Sequence, residues 1–258
     1  MISSDEGGPT PPWLFAGGGV GSTKGGKTAT VTQVLQPSTY YVFDLGEGEG
    51  DNVPSFADQG ATATIEVTGE AGDAELPVAD ATVTAEDYRF ATDGLVAGVN
   101  RIRFDNTGEE LHHVIAIPYQ AGATLEQVKA FATSDAPPEG PPPVDFSRAS
   151  VTAVLEGGDS QIAELNLIAG TYAFICFISD RAGGPPHAAL GMIDEVVVRQ
   201  HRARRARGDP ARSREARRDA SAPLDPQRRE PLIACSRSRQ RCLARAQPPR
   251  LRLDSRRP

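Results

Sequence analysis

The run Gly170-Thr-Tyr-Ala-Phe-Ile-Cys-Phe-Ile178 is aromatic and β-branched, and a second run rich in β-branched residues covers residues 193–199. Between them lies Ser-Asp-Arg-Ala-Gly-Gly-Pro-Pro, a loop that neither helix nor strand can absorb. A strand, a Gly/Pro-rich loop and a returning strand commit this part of the chain to antiparallel β structure. Similar short runs occur at 28–35, 39–45, 61–67, 81–85, 88–90, 98–104, 111–118 and 160–167, mostly set off by turn residues. One helix is expected from Thr124-Leu-Glu-Gln127, which has capping-box spacing, to about residue 133, with Leu125, Val128 and Phe131 on one face. About seven strands in the second block predict an all-β fold, a β-sandwich with one short helix.

The chain repeats itself. Leu35-Gln-Pro-Ser-Thr39-Tyr40 matches Leu167-Ile-Ala-Gly-Thr171-Tyr172, and the same 132-residue offset pairs Gly25-Gly26 with Gly157-Gly158. Residues 8–68 therefore read as a partial copy of the end of the second block. Asp44 stands where Cys176 stands, Ala61 where Met192 stands, and residues 45–60 hold no histidine. The domain division expected is a degenerate partial repeat without metal ligands over 1–75, a sandwich over 76–199 and an Arg-rich disordered tail over 200–258. Half a sandwich leaves strand edges unpaired, so the first copy must dock on the second block or be completed by chain upstream.

Charge supports the second boundary. Residues 1–199 carry 9 basic and 28 acidic side chains, net −19. Residues 200–258 carry 18 arginines against 6 acidic residues, net +12, and the two parts give the overall −7. The tail has few apolar residues and no sustained period, so it reads as disordered rather than as a nucleic-acid arm. Its Cys235 and Cys242 have no histidines at metal spacing. No stretch is apolar enough for a transmembrane helix, and the start lacks the basic and then apolar pattern of a signal peptide.

Gly21-Ser-Thr-Lys-Gly-Gly-Lys27-Thr28 has the letters of a phosphate-binding loop. Such a loop needs a helix after it, whereas 28–35 is alternating and β-branched. The turn shared with Gly157-Gly158 accounts for the glycines, and no nucleotide partner is expected.

Residues 170–192 bring a thiol, an imidazole and a thioether to one loop: Cys176, His187 and Met192. Soft sulfur with imidazole suits copper, and Leu111-His112-His113-Val-Ile can add a second imidazole. Each residue also has an ordinary reading, the cysteine and methionine as core filler and His187 as a solvated loop residue. In a strand His112 and His113 point to opposite faces, so one is expected to face away whichever binds.

Asn106-Thr-Gly-Glu-Glu-Leu-His112-His113-Val, then Gly170 to Cys176, then Pro186-His187-Ala-Ala-Leu-Gly191-Met192 resembles the cupredoxin (type 1 blue copper, plastocyanin-like) family over about residues 78–199. The resemblance implies a Greek-key sandwich and one type 1 copper held by His112, Cys176, His187 and Met192. It also implies electron transfer with a redox protein partner and a location outside the cytoplasm. The chain departs from small electron carriers in two places. His113 takes a position usually held by asparagine, and ten residues separate Cys176 from His187 where two to four are usual. In the related copper enzymes a histidine adjoins the cysteine; here the neighbours are Ile175 and Phe177, so no catalytic copper and no enzyme activity are expected. The alternative is a metal-free sandwich serving as a structural or interaction domain.

Overall fold

The computed structural model describes residues 8–23, 26–46, 53–134, 136 and 140–200. The chain divides into two units, Met1–Ala203 and Arg204–Pro258. The second lies outside the described residues, as do the expected disordered tail from residue 201, Cys235 and Cys242.

Among the described residues ten strands, one α-helix and one 3-10 turn follow in order: β1 (Ser38–Phe43), β2 (Thr62–Val67), β3 (Ala81–Glu86), β4 (Arg89–Asp93), β5 (Gly98–Asn106), β6 (Ile115–Pro118), α1 (Leu125–Ala132), the 3-10 turn (Phe146–Arg148), β7 (Ser150–Val151), β8 (Ser160–Leu167), β9 (Gly170–Ile175) and β10 (Ile193–Val198). Strands β3 to β10 form two four-stranded sheets, in the orders β10-β9-β6-β7 and β4-β3-β5-β8. Strand β3 runs parallel to β5, and the other pairs are antiparallel. The alternation read from the sequence becomes the sandwich interior. Val83, Ile102, Phe104 and Leu165 of one sheet meet Tyr172, Phe174, Val196 and Val198 of the other. Each such apolar side chain taken from water contributes about 1.5–3 kcal/mol before entropy is counted.

The helix begins where its cap predicts. Thr124 N–H donates to Gln127 Oε1, and Gln127 N–H donates to Thr124 Oγ1. Val128 is buried among Ile117, Val144, Ala173 and Ile175, with Leu125 partly buried beside them. Phe131 packs against Phe146.

Two expected strands are shorter in the structure. Residues 28–35 form no ladder; Thr32 alone bridges Ile162, with bonds of 2.9 and 2.8 Å in the two directions. No helix follows Thr28, so the element that a phosphate-binding loop requires is absent among the described residues. In 111–118 only Ile115–Pro118 is regular strand. Before it, Val114 N–H donates to Thr152 Oγ1 and His112 bridges Leu155, so side-chain capture replaces a ladder bond. Strand β7 escaped the sequence reading because two residues after a Pro-rich loop carry no periodic signal.

The repeated segments form equivalent hairpins. Strands β1 and β9 share the 132-residue offset, β2 and β10 share 131, and the registers agree: Ser38 faces Val67 as Gly170 faces Val198. Gly26 and Gly158 both adopt positive φ, 72° and 83°. Tyr40 Oη accepts from Gln36 N–H as Tyr172 Oη accepts from Ile168 N–H. The burial differs. Tyr41 is 73% exposed, whereas its counterpart Ala173 is wholly buried. Residues upstream of β1 lie along the second block: Gly17 bridges Leu155, and Gly19 N–H donates to Gln161 Oε1. Gly21 permits the closest approach, since a Cβ there would collide with the Val151 carbonyl.

Candidate metal centre

Cys176 follows directly on β9, and its side chain is fully buried. Met192 precedes β10 and is also fully buried. The loop between them is closed by backbone bonds. Cys176 N–H donates to Met192 O (3.3 Å), Ala188 N–H to Cys176 O (2.8 Å) and Met192 N–H to His187 O (2.9 Å).

The ten-residue interval between Cys176 and His187 does not loosen this geometry. His187 N–H donates to Ile178 O at 2.8 Å, and Ser179 bridges Pro186. The extra residues leave and return at one point, so the chain beyond resumes as if they were absent. Their members make contacts of their own. Arg181 pairs with Glu156 and donates to Leu14 O, and its backbone holds Thr10 and Glu110.

His112, Cys176 and His187 converge, with their ligand atoms all within 4.8 Å of one another. His187 Nδ1 stands 3.1 Å from His112 Nδ1 and 3.5 Å from Cys176 Sγ. Both imidazoles are fully buried. The outer nitrogens are committed elsewhere: His112 Nε2 meets Asp87 Oδ1 at 3.1 Å, and His187 Nε2 meets Asp180 Oδ1 at 3.0 Å. An ionised carboxylate only accepts, so each Nε2 carries the proton and each Nδ1 faces inward as a bare lone pair.

His113 takes another role. Its Nε2 accepts from Phe177 N–H at 3.1 Å, which ties the residue after Cys176 to the segment carrying His112. The backbone N–H groups of His113 and Ile178 face the Cys176 sulfur.

Burial sets the protonation. It pushes the Cys176 thiol up to about 11, with the two N–H groups opposing. It lowers His113 to about 4, with repulsion from the other two imidazoles adding to the effect. Burial also lowers His112 and His187, against the pull of Asp87 and Asp180. Asp87 is raised by its own burial, but N–H donors from Glu109 and Glu110, together with His112, hold it below the usual carboxylate range.

Of the four residues the sequence suggested, three have their ligand atoms together. The fourth, Met192, is bonded through its backbone to two of them. Asp87, Tyr88 and Asp180 were not anticipated. Each lies in a turn or loop, where an acidic or aromatic residue carries no signal by itself.

A scan against protein-family models finds no match, and no curated protein matches. Two solved structures are similar. Auracyanin B is 25% identical over 45% of this chain and 86% of its own, with a TM-score of 0.30. Dithionite-reduced auracyanin from the photosynthetic bacterium Roseiflexus castenholzii is 19% identical over 45% of this chain and 94% of its own, with a TM-score of 0.29.

Proposed function

We propose that this is a cupredoxin-like protein that binds one copper ion in a type 1 site and carries single electrons. His112, Cys176 and His187 would hold the metal, with the Met192 thioether as a further, weaker donor. One observation carries the reading. Three ligand atoms face one another among fully buried side chains, and a carboxylate oxygen stands at each outer imidazole nitrogen. Only the thiol proton remains to sit among them, so two imidazole lone pairs 3.1 Å apart repel unless a cation lies between. Two imidazoles with a thiolate and a thioether select copper among the first-row metals.

A bound copper supplies a one-electron couple. The protein's part is to present two Nδ1 atoms and a sulfur in a frame closed by backbone bonds, and to exclude water. Because His187 and Met192 are joined by their own backbone hydrogen bond, the ligand loop has little freedom to rearrange between charge states. Three histidines lie in residues 1–199, and His113 is engaged with Phe177, which leaves none for a second metal. The chain is accordingly read as an electron carrier rather than an enzyme, meeting a redox protein partner outside the cytoplasm. No helix among the described residues is long and apolar enough to cross a membrane.

A metal-free sandwich, serving as a structural or interaction domain, is the second reading. The first hairpin favours it, because its loop bonds repeat those of the second with Asp44, Phe56 and Ala61 in the ligand positions. The loop therefore closes without ligands.

Reconstitution with Cu(II) decides between them. The copper reading expects stoichiometric binding and an intense blue or green absorption that Cys176→Ser abolishes. A colourless protein that takes up no copper would leave the metal-free reading.

A further inference from the structure

Neither histidine of the centre is oriented by its own strand or loop alone. The carboxylates that hold their outer nitrogens trace back to one two-residue turn, Asp87 and Tyr88, between β3 and β4. Asp87 accepts directly from His112 Nε2. Tyr88 Oη donates to Asp180 at 3.0 Å, and Asp180 accepts from His187 Nε2. The Tyr88 ring also stands edge-on to the His187 ring, with centroids 5.4 Å apart. Consecutive residues thus reach both imidazoles by different routes.

The turn bears a cost for this. Tyr88 has φ of 68°, the only non-glycine residue with positive φ among those described. A two-residue hairpin turn would ordinarily place glycine or asparagine there. A bulky side chain in that region is strained. Only the side chain distinguishes tyrosine from the glycine the backbone prefers, and its hydroxyl is spent on Asp180. Asp87 is held with equal care. The N–H groups of Glu109 and Glu110 donate to its carboxylate, and a side chain on Gly108 would collide with it.

We infer that the turn formed by Asp87 and Tyr88 is a clasp that positions both imidazoles of the metal centre, Asp87 by contact with His112 and Tyr88 through Asp180 with His187. The inference rests on the copper reading for its consequence. Carboxylates on the outer nitrogens fix the Nδ1-facing tautomer and make the imidazoles better donors. Better donors favour the more highly charged copper, which lowers the reduction potential.

The test uses the whole protein and four variants: Asp180→Ala, Asp180→Asn, Tyr88→Phe and Tyr88→Gly. Asp180→Ala should weaken Cu(II) binding by about 10–100-fold and raise the potential. Asp180→Asn keeps an acceptor, so it should recover part of the affinity while the potential stays raised. Tyr88→Phe should shift the potential in the same direction by less. Tyr88→Gly should match Tyr88→Phe in potential while resisting urea at least as well as the parent, a separation that a purely structural tyrosine would not give. Affinities within twofold of the parent with unchanged potentials would overturn the clasp. Nitrogen NMR of the metal-free protein tests it independently of copper. The parent should show His112 and His187 protonated at Nε2, and Asp180→Ala should lose that preference at His187. If the parent binds no copper but the NMR result holds, the function fails and the clasp stands; an unchanged tautomer removes the clasp.

Discussion

His112 and His187 stand with their Nδ1 atoms 3.1 Å apart and their rings inclined at 61°, although 74 residues separate them in the chain. The pair comes together because β6 and β9 are neighbours in one sheet and both histidines lie near the same end of it. Burial keeps both imidazoles below their ordinary range, and it raises the Cys176 thiol to about 11.

Proton release on loading follows from those directions. At pH 7.5 the two imidazoles are already neutral, while the Cys176 thiol is protonated. A metal takes the thiolate, so the protein should release about one proton for each copper bound. Calorimetry in two buffers of different ionisation enthalpy counts it. A count near three would mean that the imidazoles are charged in the metal-free protein.

The metal-free protein should lose stability in acid. A histidine whose folded value lies below its unfolded value near 6.5 contributes stability that is complete above pH 6.5, and that stability falls as pH drops towards the folded value. His113 is lowered to about 4, and His112 and His187 are lowered as well. The urea midpoint should therefore decline between pH 6.5 and pH 4. His113→Asn, which can still accept from Phe177 N–H, should flatten part of that slope. A midpoint constant across this window would contradict the burial argument.

Much of the sandwich could be read from the sequence, and the reasons are local. The capping box at Thr124 and Gln127, the alternation of β8, and the repeated Leu-x-x-x-Thr-Tyr segment are each complete within a few residues. The ligand trio was visible because Cys, His and Met are uncommon in this chain and fall in order on one loop. The clasp was not visible. Asp87, Tyr88 and Asp180 matter through partners that lie 7 to 92 positions away, and nothing in their immediate neighbours announces it. The compactness of the long Cys-to-His interval was not visible for a related reason. Its closure by Ile178 O and by the Ser179 and Pro186 bridge is a property of the backbone.

The same interval supplies the clamp on the N-terminal segment. Arg181 pairs with Glu156, donates to Leu14 O, and stands 5.8 Å from the Phe15 ring centre. Arg181→Ala leaves a partly buried carboxylate without its cation, at a cost of about 2 kcal/mol. Residues 10–16 should become accessible to limited proteolysis while the copper absorption stays where it was. A displaced absorption band would show that the clamp and the ligand loop are coupled.

The two tyrosines of the repeat give a comparison within one chain. Tyr172 is buried and its Oη accepts the Ile168 N–H at 2.8 Å; Tyr40 makes the matching bond to Gln36 N–H in a largely exposed hairpin. Tyr172→Phe removes a part-buried acceptor from the Ile168 N–H and should cost about 1 kcal/mol. Tyr40→Phe leaves a donor that water can reach, and its cost should stay within about 0.5 kcal/mol. Urea unfolding of the two variants measures the difference. Equal losses would mean that the first hairpin is covered in solution by something that gives Tyr40 the same seclusion as Tyr172.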